Sequence, residues 1–274
     1  RPGWFYHASQ SPASVAEVVK YYEQSTGRNS QYLLNVPPSD TGKLADADAA
    51  GLKGLGEELA RRYGTDLALG KSATVAASAN DTAVAAPKLT DGSKLSSDKA
   101  VGNTPTYTID LGSTVAVDAV KISEDVRNAG QQIESATLQG RVNGTWTNLA
   151  TMTTVGQQRD LRFTSQNIDA IRLVVNSSRG PVRLSRLEVF HTESEIQTGA
   201  RAYYIDPTAQ TAGDGFTKDK PMTSIEQLHD VTVAPGSVIF VKAGTELTGD
   251  FAVFGYGTKD EPITVTTYGE SDKA

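Results

Sequence analysis

The chain has 274 residues and a mass of 29.1 kDa, with 32 acidic against 26 basic side chains and a formal charge of −6. An acidic balance without a Lys/Arg-rich block argues against nucleic acid or an anionic membrane as the main partner, and no apolar run approaches the roughly 20 residues of a membrane span. Cysteine is absent, which excludes a disulfide framework, cysteine-ligated zinc and thiol catalysis.

Residues 1–64 read as strand, helix, strand, helix. The run Trp4-Phe5-Tyr6 predicts a strand over 2–7, and Ser11 is the expected cap of a helix with Pro12 in its first turn. Val15, Val18, Val19 and Tyr22 recur at helical spacing until Gly27. Gln31–Val36 is a second short strand closed by Pro37-Pro38, and Asp46 or Asp48 opens a second helix with Leu52, Leu55, Leu59 and Tyr63 on one face. Alternating elements of this kind predict a parallel sheet. Two βα units cannot close a barrel, so the segment is expected to be part of a larger domain that the chain enters midway.

Helical periodicity vanishes over 65–195. Short alternating runs take its place at Tyr107–Leu111, Val115–Ser123, Glu134–Val142, Ile168–Val175 and Val182–Phe190, with turns at Asp91-Gly92 and Asn143-Gly144. Many short antiparallel strands predict a complete β-sandwich or jelly roll. Over 200–274 the strands YYID, SVIFVKAG and EPITVTTYG alternate with Gly- and Asp-rich turns, and one short helix follows Pro221. Of the 19 aromatic residues, seven lie in 1–63, four in 65–199 and eight in 200–274. That unevenness separates three segments: a partial barrel, a whole sandwich and a further β-domain expected to be cut short.

The first segment resembles the C-terminal end of a family 29 glycoside hydrolase, an α-L-fucosidase, through Arg1-Pro-Gly-Trp-Phe-Tyr-His7, Tyr21-Tyr22, Gly27-Arg28-Asn29 and Leu33-Leu34-Asn35-Val36-Pro37-Pro38. The resemblance implies a (β/α)-barrel-like fold and removal of terminal L-fucose with retention. Retaining chemistry needs two carboxyl groups about 5–5.5 Å apart, at the C-terminal ends of barrel strands. Neither expected strand carries one, Glu17, Glu23, Glu57 and Glu58 fall on helices, and Asp40 reads as a turn residue. The nucleophile and acid/base are therefore expected upstream, and the 274 residues alone are expected to be inactive. Substrate contacts fall to Trp4 and His7, by stacking and hydrogen bonding, and to Arg1 as a sugar-facing cation; barrel packing and an ion pair are the alternatives. Asn35 reads as satisfying a turn.

The second segment resembles the discoidin, or factor 5/8 C-type, sandwich that includes the family 32 carbohydrate-binding modules. The residues are Leu69-Gly70-Lys71, Leu89-Thr90-Asp91-Gly92, Ile109-Asp110-Leu111-Gly112, Ile122-Ser123-Glu124-Asp125, Gly130-Gln131-Gln132-Ile133, Gly144-Thr145-Trp146, Ile171-Arg172-Leu173 and Leu187-Glu188-Val189. It implies Ile109, Leu111, Val120 and Ile122 as inward residues and Trp146 as closing one side. It also implies one structural Ca2+ held by Asp91, Ser96 and Glu188, with carbonyls of Lys88 or Lys94. In the alternative, Asp91 makes a turn and Glu188 pairs with Arg186 or Arg183. Arg127, Asn128 and Arg179 are loop candidates for a sugar, but an aromatic platform is lacking, and a sandwich that only buttresses the barrel is equally open. The third segment resembles the first coils of a right-handed parallel β-helix, as in polysaccharide lyases, through Tyr203–Pro207, Gly213-Asp214-Gly215, Lys220–Ile225, Pro235–Phe240 and Glu261–Val265.

These resemblances imply a secreted, extracellular or cell-surface, multidomain carbohydrate-active enzyme with fucosylated glycans or other carbohydrates as partners and no catalytic cofactor. A non-catalytic carbohydrate-binding scaffold and a polysaccharide lyase or hydrolase acting through the β-helix are the alternatives.

Overall fold

Apolar residues three and four apart drive the first helix. In the computed structural model, which describes residues 4–192, 200–228, 231, 233–248, 253 and 261–269, α1 spans Val15–Ser25 and buries Val18 and Val19. Its cap is Ser14, not Ser11: the Ser14 hydroxyl accepts the Glu17 N–H at 3.1 Å. Ser14 and Glu17 have capping-box spacing, so Pro12 lies ahead of the helix rather than in its first turn. The second helix, α2 (Asp46–Tyr63), carries Asp46 and Asp48 in its first turn and Arg61 and Arg62 in its last, complementing the helix dipole at both ends.

Over 4–7, the described part of the strand expected at 2–7, and over 31–36, no strand forms. Neither segment pairs with a neighbour among the described residues, and a strand exists only when its N–H and C=O groups find a ladder partner. Residues 31–36 keep the exposure pattern of a strand, with Tyr32, Leu34 and Val36 half-buried and Gln31, Leu33 and Asn35 exposed. Instead of a ladder, the Asn35 side-chain amide donates to the Trp4 carbonyl at 3.0 Å and ties the two segments together.

The sandwich comprises β1 (Ser72–Ala76), β2 (Val84–Ala85), β3 (Thr106–Glu124), β4 (Ile133–Val142), β5 (Thr145–Met152), β6 (Arg159–Ser178) and β7 (Leu184–Phe190), all antiparallel, in the order β2-β1-β3-β6-β4-β5 with β7 added to β3. β3 and β6 each run through both layers. They pair from Thr106↔Val174 to Asp110↔Ala170, shift register, and resume from Val115↔Ile168 to Ile122↔Arg159. The shift is the corner at which the paired strands leave one layer for the other. Ile109, Leu111, Val120 and Ile122 all point inward at no more than 1% exposure, packing with Leu138, Leu173, Leu187 and Val189. Trp146 does not close the sandwich. It is half-exposed on the edge strand β5, opposite Arg141, and the Arg172 guanidinium lies 4.3 Å from its ring centre. The Asn143-Gly144 turn has positive φ at both residues, 48° and 79°, the backbone that a two-residue type I′ hairpin demands.

Helices and sandwich fall in one compact unit, residues 1–193, and residues 194–274 form another. In the second unit β8 (Ala202–Ile205), β9 (Val238–Lys242) and β10 (Thr264–Tyr268) form a parallel sheet in the order β10-β9-β8. One face buries Tyr203, Ile205 and Ile239 with Met222, Ile225 and Leu228. On the other, Tyr204 stacks on Phe240 with ring centres 5.1 Å apart, and Tyr268 meets Tyr204 edge-on. The helix expected after Pro221 is a single 3₁₀ turn, Ile225–Leu228.

Candidate functional site

The loop after α1 is seated among three loops of the sandwich. The Gly27 carbonyl accepts the Asp160 N–H at 2.7 Å, and Arg28 makes a β-bridge with Arg159 at the start of β6. Asn29 sits at φ 63°. From there its side-chain oxygen accepts the Gln157 N–H at 2.7 Å and its amide donates to Gln131 at 3.2 Å. Gly27 and Gly156 make this approach possible: a Cβ on Gly156 would lie 2.4 Å from the Asn29 amide nitrogen. The sandwich loops are themselves braced by Glu124, whose carboxylate accepts the N–H groups of Gln132, Ile133 and Gly156 at 2.8, 3.0 and 2.7 Å.

Beneath the loop lies a layer of buried charge. Glu23 of α1 accepts from Tyr63 at 2.5 Å and Arg62 at 3.2 Å, both on α2, and lies 3.6 Å from Arg162 of β6. Lys121 of β3 stands 3.7 Å from the centre of the Tyr63 ring and 4.0 Å from the Asp160 carboxylate. Burial pushes Asp160 up to about 6 and opposes the pull of Lys121; burial, then Glu23, also raises Tyr63. Glu58 is held down at about 2, chiefly by its hydrogen bond from Arg61. Glu23 joins both helices to β6, whereas Glu58 braces Arg61 and Arg62 within α2.

Trp4 and His7 are both exposed, Trp4 to 75%. Arg1 lies outside the described residues. Of the residues expected to hold calcium, Asp91 and Ser96 are brought together, the Ser96 hydroxyl donating to Asp91 at 2.7 Å while the other Asp91 oxygen accepts the Ser93 N–H. Glu188 does not fit this set. It faces Arg186 at 2.9 Å, and burial raises it before Arg186 pulls it back. Among the described residues no three His, Asp or Glu side chains cluster around a possible ion. Of the loop candidates, Asn128 bonds Asp125 and Arg179 bonds Glu134, leaving Arg127 exposed.

Two polar hollows border this unit. The larger, about 580 Å³, lies at the junction between Asn29, Gln31 and Tyr32 on one side and Lys94, Gln157 and Gln158 on the other; burial lowers the Lys94 ammonium. The second, about 340 Å³, lies at the corner of β3 and β6. Sequence reasoning found neither, because each joins residues from distant turns. The only local signal was the Asn143-Gly144 turn.

Residues 78–174 match the F5/8 type C family model described as a NedA-like, galactose-binding domain. The matched stretch lies within the antiparallel sandwich. Over a longer stretch the chain is related to α-L-fucosidases. It is 31% identical over 199 residues to Alpha-L-fucosidase 1 of Arabidopsis thaliana, covering 69% of this chain and 39% of that protein. It is 34% identical to SpGH29 in a crystal structure with a TM-score of 0.61, covering 71% of this chain and 43% of the other. A Ruminococcus gnavus GH29 fucosidase, solved in complex with fucose, is 26% identical with a TM-score of 0.60, covering 69% and 39%. The chain spans about two fifths of the length of its curated relatives. No helix among the described residues is long and apolar enough to cross a membrane.

Proposed function

We propose that the chain is part of an extracellular, retaining α-L-fucosidase. Residues 1–64 would belong to its catalytic (β/α) barrel, the sandwich would be a carbohydrate-binding module fixed to that barrel, and 200–274 would open a right-handed parallel β-helix. One observation carries the reading: the likeness to fucosidases runs over 199 residues, about twice the stretch of 78–174 that matches the galactose-binding model alone. The three in-register parallel strands of the second unit support the β-helix.

Retention demands one carboxylate as nucleophile and another carboxyl as acid/base. In the helical segment Glu23 and Glu58 are bound by cations and a phenol, so both catalytic groups are assigned outside the 274 residues. Trp4 and His7, with Arg1, are assigned to the fucosyl unit, the indole stacking on the sugar and the imidazole bonding a hydroxyl. A calcium ion in the sandwich would draw on Asp91, Ser96 and nearby main-chain carbonyls, not on Glu188. The test is hydrolysis of 4-nitrophenyl α-L-fucoside by the 274 residues and by the same protein extended with the polypeptide encoded upstream. The expected result is no turnover by the first and turnover with retained anomeric configuration by the second. An inactive extended protein that still binds glycans would favour a non-catalytic binding protein, the reading that the 78–174 match alone suggests.

A further inference from the structure

We propose a second carbohydrate contact on the sandwich: a subsite for one neutral monosaccharide unit in the cavity at the corner of β3 and β6. The proposal rests on the reading of the sandwich as a carbohydrate-binding module and adds where, and for what chemistry, the module binds.

The cavity follows from the topology. Between Asp110↔Ala170 and Val115↔Ile168 the ladder of β3 and β6 is interrupted, and the β4–β5 hairpin turns back beside the gap. The result is a hollow of about 340 Å³ whose walls include Thr114, Arg141, Asn143, Gln166, Asn167 and Asp169. That volume lies at the small end of ligand pockets. All of its walls come from sandwich strands and one tight turn, whereas the larger junction hollow borrows one wall from residues 26–33.

The lining determines the ligand class. Apart from Val142 every lining residue is polar, and the only two charges cancel: the Arg141 Nε donates to the Asp169 carboxylate at 2.6 Å. A fully ionised pair with no excess charge gives an anionic sugar no net attraction, while amides, hydroxyls and the remaining guanidinium N–H groups offer donors and acceptors at many angles. That is the inventory that adjacent sugar hydroxyls require. Two features fix it in place. Asn143 is held at φ 48° by its turn, and Arg141 is pinned by Asp169 on one side and lies 5.8 Å from the Trp146 ring centre on the other. Trp146, with Arg172 on its face at 4.3 Å, thereby supports the arginine that lines the cavity. This hollow is at the Val142 end of β4, whereas the 125–132 loop that meets Asn29 precedes its Ile133 end, so the proposed subsite is remote from the helices.

The test uses the 274-residue chain labelled with 15N and titrated separately with L-fucose, D-galactose and D-glucuronate. At least one neutral sugar should shift the backbone and side-chain amides of Asn143, Gln166 and Asn167 with millimolar affinity, and D-glucuronate should bind no better. Asp169→Asn should weaken that binding at least about tenfold, the scale of a lost hydrogen bond to a charged group, with the unfolding temperature unchanged. Asn167→Ala serves as the second variant and should weaken it as well. Shifts confined to the 125–132 and 153–158 loops would overturn the subsite while sustaining the module. Preference for D-glucuronate would overturn the neutral-ligand assignment. Silence towards all three sugars would overturn the subsite, and silence on a glycan array as well would remove the binding-module reading with it.

Discussion

Gly27→Ala is expected to loosen the helices from the sandwich. A Cβ at this position would lie 2.4 Å from the Glu23 carbonyl oxygen, 2.8 Å from the Asp160 Cβ and 2.9 Å from the Asp160 carboxylate. The first is helix main chain and the second is a buried strand residue, so neither is a flexible tip that can swing aside. The loop must back away, losing the Asp160 N–H bond to the Gly27 carbonyl and the Arg28–Arg159 bridge. Overpacking costs about 1–3 kcal/mol and each lost hydrogen bond about 1 kcal/mol, which gives about 2–5 kcal/mol in all. For a unit of 193 residues, at about 2–4 °C per kcal/mol, the melting temperature should fall by roughly 4–20 °C. Urea and thermal unfolding followed by circular dichroism would measure it, with limited proteolysis reporting cleavage in 26–33. Gly56→Ala is the control. It lies within α2 with nothing within 4 Å of its Cβ and should gain about 0.5–1 kcal/mol from helix propensity. A Gly27→Ala protein within about 0.5 kcal/mol of the parent would refute the packing argument.

Asp160 makes stability depend on pH. Its folded value, raised to about 6 from 3.8, means that the fold binds the proton more tightly than the unfolded chain. Stability should therefore decline as the pH rises from about 4 to about 6, by on the order of 2–3 kcal/mol. Denaturant melts across that range should show the slope, and Asp160→Asn should lose it. Glu124→Gln replaces one of the two carboxylate oxygens with an NH2 group that cannot accept, so at least one of the three backbone N–H groups of Gln132, Ile133 and Gly156 loses its partner. This should cost about 1–3 kcal/mol, read as a lower urea midpoint with unchanged slope. Calcium should raise the melting temperature of the chain; Asp91→Asn should abolish that rise and Glu188→Gln should preserve it. Trp4→Ala, at an exposed ring, should change stability by less than about 0.5 kcal/mol yet raise KM for the fucoside in the extended protein.

The sandwich core was legible because most of the apolar positions of Tyr107–Leu111 and Val115–Ser123 are buried, although from Val117 to Glu124 the strand is buried on both faces and Asp118, Lys121 and Ser123 are buried as well. The union of the two runs in the single strand β3 was not legible, since Gly112-Ser113 has the look of a turn, and pairing with β6 stops at Asp110 and resumes at Val115 while the strand runs on. β5 escaped notice because a strand covered on one side only, TWTNLATM, leaves most of its residues partly or fully exposed. The α1 cap was misread at Ser11 because Pro12 is a strong first-turn signal, while Ser14 and Glu17 have capping-box spacing and the Ser14 hydroxyl accepts the Glu17 N–H. At the site, Gly27-Arg28-Asn29 stood out in the sequence without its purpose. Asn29 meets Gln131 and Gln157 more than a hundred residues away, and nothing local encodes a contact of that range. Asp91 and Ser96 are close enough in sequence for their contact to be read locally, whereas the partner of Glu188 is set by Arg186, two residues away on the same strand.

The bridge between Arg28 and Arg159 has a further consequence. Along Arg159–Ile168, β6 pairs with β3 on one side and, apart from that bridge, with no named strand on the other. Open edges of this kind recruit foreign strands. Gly27 and Arg28 cap the first two positions of the edge, and the helices behind them cover Lys121, Asp160 and Arg162. A sandwich cut free at residue 65 would lose both shields at once and present a sticky margin beside uncovered charge. For expression or crystallisation, self-association is thus avoided by starting the module ahead of α1, so that the helices travel with it as its guard.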